Sequence, residues 1–402
     1  MSIVRPFAGL RPAPQFAAEV AAPPYDVLDS EEARALAAGK KWSFLHISKP
    51  EIDMAPGADP HSDESYKVAA ENMRGMLASG VLRKDSTPAY YVYRAKLDGH
   101  VQTGIAAAGS VAAYEKNIIR RHELTRPDKE DDRVRQILSV DAHTGPVFCF
   151  HKTEPTLARI IKETTAGTPA YSVAGPGGSE HSLWVIAEAK LCDEVTAAFD
   201  RLGVIYIADG PHRSAAAARV AKQKAGADDF LVVSFPEDEV KILDYNRVIR
   251  DLNGLTPDAL LAKLGETFTI TKQAAPAKPT ERRTFGLYVA GNWYKLAFKS
   301  TPSTNLSPVE RLDVSLLAST VLQPILGIGD PRTDPRIDFI GGIRGMAALE
   351  ARVKSGQWAC AFALFPTGID DLRAVADANQ IMPPKSTWFE PKLADGMVSL
   401  PL

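Results

Sequence analysis

Residues 204–219, Val204-Ile-Tyr-Ile-Ala-Asp-Gly-Pro-His-Arg-Ser-Ala-Ala-Ala-Ala-Arg219, constrain the fold more than any other stretch of the chain. The opening run is apolar and β-branched, the pattern of a buried strand. The alanine-rich continuation forms helix readily. Between them lie Asp209, Gly210, Pro211, His212, Arg213 and Ser214. The stretch therefore predicts a strand, a tight turn and a helix N-terminus, with a carboxylate, an imidazole and a guanidinium packed into the turn.

Such a turn favours an anion. The first N–H groups of a helix have no partner inside the helix, and the helix dipole adds to their pull on phosphate. Gly210 permits close backbone approach, and Pro211 suits a first helical turn, where its missing N–H costs nothing. Arg213 can grip phosphate oxygens with a planar fork. Asp209 would repel a phosphate unless it holds a metal, caps the helix or takes a proton from a substrate hydroxyl. The residues alone leave the plainer alternative open: an N-cap aspartate beside a surface His–Arg pair.

At 402 residues the chain is long enough for two or three domains. Its 45% hydrophobic and 24% charged content is that of a globular protein. A formal charge of −2 leaves no basic footprint for nucleic acid. Cys149, Cys192 and Cys360 stand far apart in no metal-binding spacing, and are expected to be buried thiols. No apolar run reaches the roughly 18 residues of a membrane span, and the start lacks a signal-peptide core, so a cytoplasmic location is expected by default.

Along the chain, Asp29 or Ser30 is placed to cap a helix over 31–37, and apolar residues at 3–4 spacing predict a helix over 63–80. Residues 89–95 and 101–111 alternate around Asp98-Gly99, a hairpin signal. Strands are expected at 144–151, 182–187, 204–208 and 230–235, and helices at 155–166 and 192–202. Residues 238–250 are expected beside the same sheet. A boundary is placed between 252 and 253, in the turn-rich 251–258. Beyond it come a helix from Pro257, a hairpin over 286–298 with Gly291-Asn292 at its tip, helices at 312–322 and 347–355, and a strand at 358–365. The expected fold is mixed α/β: residues 1–252 form one domain and 253–402 an α+β C-terminal domain.

Three further stretches carry reactive groups. Asp26 follows Pro23-Pro24-Tyr25, a rigid turn before the first helix, where it either stabilises the turn or is held at a site mouth. His122 and Glu123 follow the apolar Ile118-Ile119, and Glu123 is a candidate general base. His122-Glu-Leu-Thr125 lacks the second histidine of a zincin. Asp132-Arg133 reads either as an internal ion pair or as a phosphate contact. In the closing block, Met382-Pro-Pro-Lys-Ser-Thr-Trp-Phe-Glu-Pro-Lys392, either Trp388 and Phe389 pin a terminal segment, or Lys385, Ser386 and Thr387 reach the Asp209 turn.

Asp209-Gly-Pro-His-Arg213 resembles the Asp-Gly-His-His-Arg signature of the ParB/sulfiredoxin-like superfamily. The resemblance is to a family of about this chain length, catalogued as a domain of unknown function and similar to free-serine kinases. It extends through Pro6-Phe7, Ala22-Pro-Pro-Tyr-Asp-Val27, Tyr114, His122-Glu-Leu-Thr125, Asp132-Arg133, Leu312-Asp-Val-Ser315 and the closing block. It implies a ParB/sulfiredoxin-like nucleotide-binding core with a large insertion. The implied activity is phosphoryl transfer from ATP or ADP with Mg²⁺ to the hydroxyl of a small metabolite, with free serine the leading acceptor. Gly210, His212, Arg213 and Ser214 would hold the phosphates. Asp209, Glu123 or Asp26 would take the hydroxyl proton or hold Mg²⁺, and no separate protein metal site is expected. His122, Arg133, Lys385, Ser386 and Thr387 would supply further contacts.

Pro211 stands where the family has its first histidine and where sulfiredoxins have the attacking cysteine, so sulfiredoxin chemistry is lost. Two rivals remain: a nucleotide-gated ParB-like switch, and a silent family member with Pro211 as the lesion. The partners expected are a nucleotide and a small molecule, with a homodimer compatible.

Overall fold

A computed structural model describes residues 2–300 and 305–402. The chain forms two compact units: residues 1–240 together with Pro391–Leu402, and Lys241–Glu390. The division expected between 252 and 253 falls by sequence inside the second unit. Both units mix helix and sheet, as the alternation of periods in the sequence implies.

The first unit is built on a mixed sheet. Among the described residues its strands are β1 (Val4–Arg5), β2 (Tyr90–Leu97), β3 (His100–Ser110), β4 (Ile119–Arg120), β5 (Val147–His151), β6 (Tyr171–Ala174), β7 (Glu180–Ile186), β8 (Ile205–Asp209) and β9 (Asp229–Pro236). Their order is β4-β8-β5-β9-β3-β2-β7-β6, with β1 pairing to β3. The β8/β4 and β9/β5 pairs are parallel and the rest antiparallel. The β2–β3 hairpin turns at Asp98 (φ 49°) and Gly99 (φ 77°), the left-handed pair that an Asp-Gly dipeptide supplies cheaply. The β8 strand is buried over Ile205–Ala208 and surfaces at Asp209, so the change from apolar to polar sequence is also the change from core to site.

One face of the sheet carries α4 (Pro155–Thr165) and α5 (Ala189–Leu202). Leu157, Ile160, Val195 and Phe199 from these helices pack with Tyr90, Ile105, Cys149 and Ile207 in one cluster. A smaller layer gathers around α1 (Ser30–Ala37) and α2 (Asp63–Ala78), with Val20, Ala33, Phe44 and Met73 at its centre. Asp29 caps α1, and Glu32 returns the bond to the Asp29 amide, completing a capping box. Between the layers run α3 (Pro127–Val140) and α6 (Pro211–Ala221), which meet through Val134, Ile137, Ala216 and Val220. The alanines of α6 let the two helices approach closely. All three cysteines are buried free thiols.

The last twelve-odd residues return to this first unit. Leu400–Pro401 pairs with Ala142–His143, Ser399 bridges Leu10, and Asp395 bridges Ala22.

The second unit is an antiparallel sheet in the order Phe268–Gln273, Asn292–Phe298, Thr284–Val289, Cys360–Leu364, Tyr245–Ile249, Ile337–Gly341. Helices Pro257–Thr267, Gly345–Lys354 and Ile369–Asp377 accompany it. Tyr245–Ile249, expected beside the first sheet, instead lies inside this second one, between Cys360–Leu364 and Ile337–Gly341. A strand of five residues carries no mark of which sheet it will join. No described helix is long and apolar enough to cross a membrane.

Candidate active site

The turn after β8 has the expected form. Gly210 is left-handed (φ 82°, ψ 34°), and α6 begins at Pro211. A Cβ at Gly210 would stand 3.4 Å from Arg213 Nη1, so space is tolerable but the backbone angle is not. Two of the turn's N–H groups are spent locally. The Gly210 N–H donates to Asp209 Oδ1 at 2.8 Å, Pro211 has no N–H, and the Arg213 N–H closes on the Gly210 carbonyl at 3.0 Å. The Ser214 hydroxyl is fully buried and donates to the Pro211 carbonyl. The charge at this turn therefore resides in side chains more than in an open amide nest.

Asp209 is the centre of that charge. Lys392 Nζ lies 2.6 Å from Asp209 Oδ2, a pairing across 183 residues. Burial pushes the Asp209 carboxyl up, but the Lys392 ammonium, with help from Arg213 and the Gly210 amide, holds it down at about 2. The group is ionised at any physiological pH and is a weak proton acceptor.

Arg213 turns inward. Its Nη1 donates to the Pro146 carbonyl at 2.8 Å, its Nη2 lies 3.7 Å from Asp26 Oδ1, and its guanidinium sits 5.4 Å from the Tyr25 ring centre. Burial pulls its basicity down, yet Asp26, Asp395, Tyr25 and Asp209 raise it above the ordinary value. Asp26 is 46% exposed and Arg213 13%, so the pair runs from solvent to interior. Arg133 lies on the same tyrosine at 3.8 Å and donates through Nε and Nη2 to Asp132 Oδ2 at 2.8 and 2.6 Å. Asp132 also accepts from Tyr66 and meets His61. Asp132-Arg133 is thus an internal ion pair.

The loop 121–126, which follows β4, borders β8. His122 is buried, and its Nδ1–H donates to the Ile207 carbonyl at 2.8 Å. Burial lowers its pKa to about 4, so the ring is neutral. Glu123 follows it, partly buried. The Arg126 amide donates to His212 Nε2 at 3.1 Å, which ties this loop to the start of α6.

Asp26, His122, Asp209, Gly210, His212, Arg213, Ser214 and Arg133 therefore belong to the first unit and border β8, α3 and α6. Lys385, Ser386 and Thr387 belong to the second unit. There Lys385 (φ 56°) lies 5.7 Å from the Tyr245 ring, and Ser386 is buried, donating to the Pro383 carbonyl. From the closing block it is Lys392 that meets Asp209. Neither Lys392 nor Asp395 is marked out in the sequence by periodicity or spacing; the only signal is the density of the block to which Lys392 belongs. Among the described residues no three His, Cys, Asp or Glu side chains converge as a metal site.

Comparison with known proteins places the chain. No curated protein matches the sequence. Among solved structures, C-terminally truncated SbnI from Staphylococcus aureus is similar at 12% identity and a TM-score of 0.40, over 73% of this chain and 87% of that one. Free serine kinase in complex with AMP is similar at 12% identity and a TM-score of 0.35, over 71% and 86%. A conserved hypothetical protein from Pyrococcus furiosus is similar at 13% identity and a TM-score of 0.35, over 74% and 94%. Likeness this distant carries no argument about the chemistry of the chain. A family model matches residues 4–315, most of the sequence, and the chain belongs to that family, described as protein of unknown function (DUF1015).

Proposed function

We propose that the chain is a nucleotide-dependent phosphotransferase acting on the hydroxyl of a small metabolite, with free serine or a similar hydroxy amino acid as acceptor. The observation that carries this reading is the gathering of Arg213, Asp26, Asp209 and Lys392 at the Gly210 turn. Two fixed cations and two carboxylates at a helix N-terminus suit a reaction that depends on positioning and charge neutralisation. The sequence resemblance to free-serine kinases supplies the acceptor.

Arg213 would bind and orient the phosphates, and His212 would contact them from the first turn of α6. Asp209, ionised and clamped, would fix Lys392 for the same anion, which leaves Glu123 or Asp26 to take the hydroxyl proton. ATP or ADP would be the donor. Mg²⁺ usually takes one or two carboxylates and completes its shell with phosphate and water. Asp209 already accepts from Gly210 and Lys392, so the exposed Asp26 would be the carboxylate to meet the ion, which would neutralise phosphate charge when bound.

The test is nucleotide turnover with and without serine. Serine-dependent release of ADP or AMP is the expected result. Serine-independent hydrolysis favours the ParB-like switch instead. Arg213→Ala, checked for folding by circular dichroism, should weaken nucleotide binding more than tenfold; unchanged affinity removes Arg213 from the phosphate site.

A further inference from the structure

Beneath Arg213 lies a small cavity of about 20 Å³, lined by Tyr25, Ser48, Arg133, His143, Arg213 and Asp395 among others. Space of that size holds one water-sized group. Among the described residues, three buried polar atoms without a hydrogen-bond partner belong to residues that line this cavity: Ser48 Oγ, His143 Nε2 and Asp395 Oδ1. The residues are 5%, 4% and 1% exposed. Buried polar atoms in folded proteins are nearly always satisfied, so three orphans around one void call for an occupant. Glycine at 145 keeps the space open: a Cβ there would stand 3.1 Å from both Asp395 Oδ1 and Arg213 Nε.

The chemistry of the lining selects the occupant. The two guanidiniums are already answered, Arg133 by Asp132 and Arg213 by Asp26. Asp395 has no such partner on Oδ1; burial raises its carboxyl to about 7, and a bound cation would hold it ionised. Burial keeps the His143 ring neutral, so one of its nitrogens accepts. A carboxylate oxygen, a neutral imidazole nitrogen and a hydroxyl oxygen are three acceptors, and a primary ammonium brings three donors and one positive charge. We propose that this cavity receives a primary ammonium group of the substrate, with Asp395 Oδ1, His143 Nε2 and Ser48 Oγ taking its three N–H donors. The inference deepens the phosphotransfer reading and rests on it for the word substrate: Arg213, the phosphate ligand of that reading, forms one wall of the cavity. It restricts the acceptor to amino alcohols and hydroxy amino acids.

The test is calorimetric titration of the full chain, with ADP present, using amines and their hydroxyl isosteres: L-serine against L-glycerate, and ethanolamine against ethylene glycol. The amine of each pair should bind at least tenfold tighter. Ser48→Ala should weaken the amines severalfold and leave the isosteres unmoved, and Asp395→Asn should erase the difference within each pair. Should Asp395→Asn fail to fold, the wild-type pairs and Ser48→Ala still decide. Equal affinity within the pairs, or no amine binding, overturns the inference and leaves a structural water as the occupant. Phosphorylation of glycerate as fast as serine keeps the phosphotransfer reading and sinks the ammonium site. Amine preference without any phosphate transfer keeps the site and sinks the phosphotransfer reading.

Discussion

Lys392 and Asp209 form a pair whose members need each other. An ionised carboxylate loses hydration as it is buried, and the ammonium 2.6 Å away offsets that loss. Lys392→Met keeps most of the stem's volume and removes the charge. The expected outcome is a rise of the Asp209 pKa from about 2 toward the ordinary carboxylate range or above it, followed by carboxyl NMR titration. Nucleotide affinity should fall with it by tenfold or more. Gly210→Ala tests a different property of the same corner. Its Cβ meets nothing closer than 3.4 Å, so the cost is the left-handed backbone, roughly 1–2 kcal/mol. Thermal unfolding should drop by several degrees without loss of the fold. The corner itself was legible in the sequence, because strand, glycine, proline and alanine-rich helix are all local signals. Lys392 and Asp395 were not, because no local pattern tells a residue near the C-terminus that it will close a site built around residue 209.

At the scale of elements, the helix after the corner starts without a side-chain cap, and Pro211 occupies its first position. Proline at that position is preorganised and forfeits no bond. Replacing it by the histidine of the family signature should therefore change stability by only about 1 kcal/mol, read by thermal unfolding. The functional result separates two readings. If Pro211 is a lesion, Pro211→His should raise serine-dependent turnover at least tenfold. If the phosphate site works through Arg213 and Lys392, turnover should change little. Elements with strong periods, such as Asp63–Ala78 and the β2–β3 hairpin, lie within a residue or two of their expected positions. What the patterns could not supply was pairing. The strand Tyr245–Ile249, with Asn246 and Arg247 in its middle, is too short to show which sheet it joins, and only long-range register assigns it to the second.

At the scale of the whole molecule, titratable groups are distributed unevenly, and that makes the two units respond differently to acid. All eight histidines precede residue 213, so every one belongs to the first unit. His122, His143, His151 and His181 are held at about 4 by burial. A histidine whose folded pKa lies below its unfolded value of 6.5 stabilises above that value, and loses the contribution as pH falls toward 4. Each such group withdraws up to about 1.4 kcal/mol per pH unit in that window. Three groups of the same unit act in the opposite sense. Asp395, raised to about 7 by burial, His46, raised chiefly by its bond to Asp53, and Glu239, raised by burial, all favour the folded state as acid is added. His46 has made its gain by pH 6.5, so below that the four depressed imidazoles stand against the carboxyls of Asp395 and Glu239, which leaves the first unit acid-labile. In the second unit Asp313 is raised to about 6 by burial, and it gains rather than loses on acidification from pH 7 to 4. Hydrogen exchange resolved by segment, corrected for the intrinsic pH dependence of amide exchange, should show residues 2–240 and 391–402 losing protection between pH 6.5 and 4.5 while 241–390 retains it. Simultaneous loss in both units would mean that the buried imidazoles do not set the acid limit. A first unit unchanged at pH 4.5 would mean that their rings open to water before they charge. The C-terminal segment should follow the first unit although it is contiguous in sequence with the second, because Leu400–Pro401 and Asp395 are bonded to strands and loops of residues 22–143.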